Sequence, residues 1–292
     1  MAETLDGMTV LIAGAGSGMG RATAVAVAVA HGRPILLGRT RPGLEETAEA
    51  VRKVTGTAPD IVVADAGDAE ALAAALAAVD LSRVDALVNS VGTNIVDRAF
   101  EKLTPESWAM MMNANLDAAF TLSKALVPPM RARGGGLIIN ISSVAAKKPD
   151  VSGAAYQASK AGVLALNHAI MEEEWANGIR TTAILPGLAV AVIAKFKSLP
   201  VALFAGLAIT GMAIARGARD RFGMLPDRDR QTKPSHSDDM GCDARIMFAV
   251  HMDNDSGSIK HCRDTQGFAT TKYQGDWNHG IVRHMPRLKP VG

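Results

Sequence analysis

The sequence predicts a doubly wound parallel β-sheet between two layers of helices, a three-layer α/β/α sandwich. Three observations carry this prediction. Short β-branched apolar runs alternate with longer alanine-rich stretches up to about residue 187. The runs are apolar without polar alternation, as strands covered on both faces are. And 292 residues with 48% hydrophobic and 21% charged side chains supply core for one large domain or two.

The first strand is expected over 8–13, followed by a helix over 18–31. A second strand over 34–37 leads to a helix over 42–55, and a third over 60–64 leads to one over 68–79. After a fourth strand over 85–89, a long helix is expected over 104–132. Its start reads Thr104-Pro105-Glu106, an N-cap, a first-turn proline and an early acid, and Gly134-Gly135-Gly136 punctuates its end. A fifth strand over 137–141, a helix over 154–177 and a sixth strand over 179–185 complete the series. Strand and helix in this alternation imply right-handed crossovers within one sheet.

The composition narrows the function classes. Thirty-one basic against 29 acidic side chains leave a net charge of +2, with no general attraction to nucleic acid or acidic membranes. Cys242 and Cys262 are too few for a disulfide-stapled scaffold. Glu3 and Asp6 precede the first apolar run, unlike a secretion signal, so a cytoplasmic enzyme is expected.

Past residue 188 the character of the chain changes. No glutamate follows Glu174, while ten aspartates and five of the seven histidines lie past residue 215. The expected division is a core over 1–187, an apolar lid or linker over 188–237 and an atypical, poorly ordered tail over 238–292. Within the tail, 238–251 reads as one more helix, and 252–280 has no clear period. The apolar stretch 199–215 admits three readings: a lid favouring lipophilic substrates, a membrane contact, or a plain packed helix. Cys242, His251, His261, Cys262, His279 and His284 match no compact zinc spacing, so no metal is expected.

The first strand runs into Gly14-Ala15-Gly16-Ser17-Gly18-Met19-Gly20 and then a helix. Glycines there permit a tight turn and bring backbone N–H groups to a pyrophosphate at the helix N-terminus, the Rossmann-type arrangement. Gly14, Ser17, Gly18, Met19 and Gly20 are therefore candidate dinucleotide contacts. The second strand ends in Gly38-Arg39-Thr40-Arg41, with no carboxylate for a free ribose 2′-hydroxyl. Arg39 can instead clamp a 2′-phosphate, which favours NADP over NAD; the plainer reading is a solvated arginine starting a helix.

Ser142-Ser143 closes the fifth strand, and Tyr156 and Lys160 lie four apart at the start of the next helix, on one face. An ammonium beside a phenol favours the phenolate, which lets the phenol exchange a proton with a substrate oxygen. The plainer readings are a capping serine, an Asn115 bonded to backbone and a half-buried tyrosine ring.

In these motifs the chain resembles the short-chain dehydrogenase/reductase family over about residues 5–187. The family's three motif glycines fall on Gly14, Gly18 and Gly20, with Ala13 where the family has threonine. Its adenine-contacting aspartate falls on Asp65, with Ala66 beside it. Its Asn-Asn-Ala-Gly appears as Asn89-Ser90-Val91-Gly92, half altered. Asn115, Ser143, Tyr156 and Lys160 match the catalytic set, and Pro186-Gly187 the turn beside the nicotinamide.

The resemblance implies Tyr156 as general acid/base and Lys160 as ligand of the nicotinamide ribose. It implies that Ser143 hydrogen-bonds the substrate oxygen and Asn115 orders a water. After Gly187 the resemblance stops: Leu188-Ala189-Val190-Ala191-Val192 carries alanine where the family has threonine, and 238–250 only faintly resembles a late family helix. These departures read either as a divergent lid or as a tail from a different reading frame. The expected activity is NADP-dependent interconversion of a lipophilic secondary alcohol and ketone, by a homodimer or homotetramer paired through helices 104–132 and 154–177. The competing class is a non-catalytic, redox-sensing nucleotide binder.

Overall fold

The computed structural model describes residues 5–148 and 151–186, together with four strands between residues 248 and 284. Six strands run parallel: β1 (Thr9–Ala13), β2 (Arg33–Gly38), β3 (Asp60–Val63), β4 (Ala86–Asn89), β5 (Gly136–Ile141) and β6 (Ile179–Pro186). They stand in the order β6-β5-β4-β1-β2-β3. The order reverses between β1 and β4, so the chain leaves these two neighbours in opposite directions and opens a crevice at their C-terminal ends.

Both faces of the sheet are covered, and the residues of β1 show how. Val10 and Ile12 join a buried cluster with Ala24 and Val27 of α1 (Gly18–Val29) and Leu44, Ala48 and Val51 of α2 (Arg41–Thr55). Leu11 and Ala13 point to the other side. There they meet Leu72 and Leu76 of α3 (Ala69–Leu76) and Leu122, Leu126 and Met130 of α5 (Ala118–Ala132). A strand apolar at every position can be buried only in this way, so the expected three-layer sandwich is what forms.

Two expectations are corrected. The helix expected over 104–132 is three pieces: α4 (Pro105–Met112), a π-helical turn at Asn113–Asp117, and α5. The Thr104 cap forms as expected, a capping box with Ser107. The interruption comes from Asn115, which is 1% exposed and whose amide must find partners inside the fold. Of the helix expected over 238–251, residues 238–247 lie outside the described residues, and Phe248–Met252 form not a helical end but strand β7, parallel to β6. A short apolar run carries no decisive period, and the open edge of β6 provides backbone partners for a strand. The segment without clear period contains β8 (Ile259–His261) and β9 (Tyr273–Asp276); β10 (Ile281–His284) follows, and all three pair antiparallel.

Gly187, the apolar stretch 199–215 and the side chains of the tail cysteines and histidines lie outside the described residues. Among the described residues, no helix is long and apolar enough to cross a membrane.

Candidate active site

The site grows from the C-terminal ends of β1, β4 and β5 and from α6 (Ala154–Glu174). At β1 the chain turns sharply through Gly14, whose φ of 76° suits glycine. A methyl group on Gly14 would meet the Ser90 carbonyl oxygen at 2.8 Å, so the turn packs directly on the loop after β4. One on Gly20 would run into the Gly14 carbonyl. Gly18, at φ 50°, faces open space.

Ser17 is exposed and caps α1 by position, but its hydroxyl is not spent on a cap hydrogen bond. Met19 is half-buried against the core. These residues leave the N-terminal amides of a twelve-residue helix beside an open glycine turn, a surface that favours an anion. A dinucleotide pyrophosphate fits it.

Arg39, expected at a 2′-phosphate, and Asp65, expected at the adenine, are brought together: Nη1 and Oδ2 stand 3.7 Å apart at the ends of β2 and β3. Asp65 also accepts from the Gly67 N–H at 2.9 Å, and Ala66 is buried with its carbonyl accepting from Thr121 Oγ1. The Asn113 amide donates to the Gly67 carbonyl at 2.9 Å, so the π-helical turn also grips this loop.

On the other side of the crevice, Lys160 reaches from α6 to the end of β5 and donates to the Ile141 carbonyl at 3.0 Å. It is 4% exposed, and burial pushes its ammonium down to about 8. Its Nζ lies 6.0 Å from the centroid of the half-buried Tyr156 ring, one helical turn away. Asn115 accepts from the Thr93 N–H at 2.7 Å and donates to the Thr93 carbonyl and to Ser159 Oγ, each at 3.0 Å. Ser159 in turn donates to the Tyr156 carbonyl at 2.9 Å.

Gly92 is where these groups converge. A methyl group there would stand 2.8 Å from Lys160 Nζ and 3.0 Å from Asn115 Oδ1. Ser143 is 8% exposed and accepts from the Ala145 N–H at 3.2 Å, capping a short turn after β5. Asn89 is buried and bonded to Asn140, which donates to Asn167 of α6, so a polar layer ties β4 and β5 to the helix. Pro186 closes β6 and is buried.

The start of α6 is fixed independently. Gly153 precedes it at φ 93°, against the Arg98 backbone, while Asn94 and Arg98 donate to the Ser152 and Val151 carbonyls, both at 2.9 Å. Sequence reasoning passed over Ser142, whose hydroxyl donates to the Lys160 carbonyl at 2.8 Å, and also Thr93, Ser159, Asn140 and Asn167. Only Ser159 carried a signal, its place between Tyr156 and Lys160. The others act through contacts far apart in the chain.

The chain is similar to several known proteins. It is 43% identical over 108 residues to an acetoacetyl-CoA reductase of Rhizobium meliloti, covering 37% of this chain and 44% of that one. It is 33% identical over 187 residues to a galactitol 2-dehydrogenase (L-tagatose-forming) of Cereibacter sphaeroides, covering 63% and 72%. The chain spans between 44% and 64% of the length of the acetoacetyl-CoA and ketoacyl reductases that it matches. The crystal structure of L-sorbose reductase from Gluconobacter frateurii, complexed with NADPH and L-sorbose, superposes with a TM-score of 0.60. That pair is 30% identical, and the match covers 64% of this chain and 72% of the reductase. The family model for short chain dehydrogenases matches residues 8–198, which take in the glycine turn, the polar layer and the tyrosine-lysine helix, and the chain belongs to that family.

Proposed function

We propose that this protein is an NADP-preferring oxidoreductase that interconverts a secondary alcohol and a ketone in the cytoplasm. The observation that carries the reading is the buried Lys160 ammonium, 6.0 Å from the Tyr156 ring at the mouth of the crevice. When bound, a nicotinamide cofactor supplies the hydride chemistry.

The glycine turn from Gly14 to Gly20, with Ser17 and Met19, would hold the pyrophosphate on the N-terminus of α1. Asp65 and Ala66 would flank the adenine, and Asn89, Gly92, Pro186 and Gly187 would line the nicotinamide end. Arg39 would meet a 2′-phosphate; it is exposed at the end of β2, and the sorbose reductase with NADPH supports this preference.

Tyr156 donates a proton to the substrate oxygen in reduction and removes it in oxidation. Lys160 binds the nicotinamide ribose, and its charge favours the phenolate of the ring beside it. Ser143 turns its hydroxyl to the substrate oxygen, and Asn115, anchored on Thr93 and Ser159, supports the water that resupplies the proton.

Val96, Phe100 and Val151 stand exposed by 92%, 81% and 87% on the loops after β4 and β5, and apolar side chains on the loops that follow these strands support a lipophilic substrate. Trp108, Met110 and Phe120, exposed by 40% or more on α4 and α5, support a homodimer or homotetramer. The core over 1–187 carries this machinery, with 188–237 as a lid or linker and 238–292 as a tail.

A binding protein without turnover has no use for a proton donor beside a buried cation. The test mixes the protein and its Tyr156→Phe variant with NADPH and a panel of ketones. Oxidation of NADPH by the parent, slowed roughly 10²–10⁴-fold in the variant with NADPH affinity retained, is the expected result. Equal rates would remove Tyr156 as the acid. No turnover by either protein, with NADPH bound by both, would leave the binder.

A further inference from the structure

Arg21 stands behind the glycine turn, not in it. Its Nη2 donates to the Gly16 carbonyl at 2.6 Å and to Glu46 Oε2 at 2.7 Å, and its Nε donates to Thr47 Oγ1 at 3.0 Å. The fully buried Thr47 passes its own proton to the Ala15 carbonyl at 2.8 Å, the shorter of its two backbone contacts. The carbonyls of Ala15 and Gly16 are therefore both held from the side of α2.

A peptide unit is planar and trans, so its N–H points opposite to its C=O. Pinning these two carbonyls towards α2 aims the N–H groups of Gly16 and Ser17 away from it. A second contact keeps the geometry tight: a methyl group on Gly43 would stand 2.9 Å from the Gly16 carbonyl oxygen, so α2 begins against the bare backbone of the turn. α2 starts two residues after Arg39, and the same bonds therefore join both loops assigned to the cofactor.

We infer that Arg21, with Thr47 as its relay, is a positioning residue that orients the amides of the glycine turn for a dinucleotide pyrophosphate. The inference rests on the cofactor reading of that turn. A guanidinium suits the task because its planar fork serves Gly16, Thr47 and Glu46 at once, which a single ammonium cannot do in the same directions.

The test measures equilibrium binding to the full chain, with NADPH followed by its fluorescence and with ADP and adenosine 2′-monophosphate as displacing ligands. ADP carries the pyrophosphate; adenosine 2′-monophosphate carries the adenine and 2′-phosphate without it. In Arg21→Met, affinities for NADPH and ADP are expected to fall about tenfold, the scale of one charge-assisted hydrogen bond, with adenosine 2′-monophosphate unchanged within about twofold. KM for NADPH rises in step, while kcat at saturating NADPH changes less than about twofold. Arg21→Lys recovers part of the loss, and Thr47→Val shifts ADP in the same direction.

Unchanged ADP affinity in Arg21→Met overturns the inference. So does an equal loss for both displacing ligands, which would make Arg21 a general support of α2. Where Arg21→Met lacks a cooperative melting transition, Thr47→Val decides by the same criterion. A parent protein that binds neither NADPH nor ADP overturns the cofactor reading itself, whereas parent binding with indifferent variants overturns only the role of Arg21.

Discussion

Replacing Lys160 by methionine separates the cost of burying its ammonium from everything else the residue does. Methionine has a similar reach and no charge, and it leaves the Ile141 carbonyl without its 3.0 Å donor at every pH. Burial lowers the lysine from its ordinary 10.5 to about 8. The difference, 10.5 − 8, corresponds to about 3 kcal/mol by which the folded state disfavours the charged form. The sign follows from proton counting. Between these two values the unfolded chain holds the proton more tightly, so stability rises with pH through that window. The penalty is fully present below about 8 and fades towards 10.5.

Lys160→Met has no proton to bind in either state and lacks this slope. Chemical denaturation of both proteins without cofactor, at about pH 7 and about pH 9.5, should show the stability difference moving by about 2 kcal/mol in favour of the parent at the higher pH. Groups common to both proteins cancel in the comparison. Parallel pH profiles would refute the reasoning, because they would mean that the amine is solvated and holds its proton as tightly in the native state as in the unfolded chain.

Two further variants probe the crevice. Arg39→Asp should lower the ratio of kcat/KM for NADPH over NADH by about tenfold or more, since it replaces a phosphate partner with a second carboxylate near Asp65; an unchanged ratio removes Arg39 from cofactor selection. Gly92→Ala should leave thermal stability within about 1 kcal/mol, because the new methyl meets the movable end of Lys160. It should nonetheless cost about tenfold in kcat by displacing that amine from its working position, and full activity would show that the amine has room to spare.

Much of this protein could be read from its residues. The six parallel strands fall within a residue or two of the apolar runs, because strands covered on both faces need no polar alternation. The Gly14–Gly20 turn and the Tyr156 and Lys160 pair were legible as well, since each depends on spacing within a few residues of chain. The plainer readings also describe real contacts: Ser143 does cap a turn, Asn115 does bond backbone, and the Tyr156 ring is half-buried. Each contact is compatible with the proposed role, because each fixes a side chain in place around the Tyr156 and Lys160 pair.

The break at Asn113–Asp117 was illegible for a different reason. Nothing in Asn113-Ala114-Asn115 favours a π-helical turn over an α-helical one until Thr93 and Ser159 are in place to receive the Asn115 amide. Strand β7 was missed similarly, since a short apolar segment takes its form from the edge it meets.

The sequence by itself determined the layers, the turn that suits a phosphate and the helix that carries phenol and amine together. These follow from periodicity and from backbone conformations open to glycine, both local properties of the chain. Only the tertiary structure decided how deeply Lys160 is buried, that Gly92 is the point where Lys160 and Asn115 converge, and that Arg21 holds the glycine turn from behind. Desolvation and the direction of a peptide plane depend on neighbours that the chain brings in from far along its length, and no local pattern encodes them.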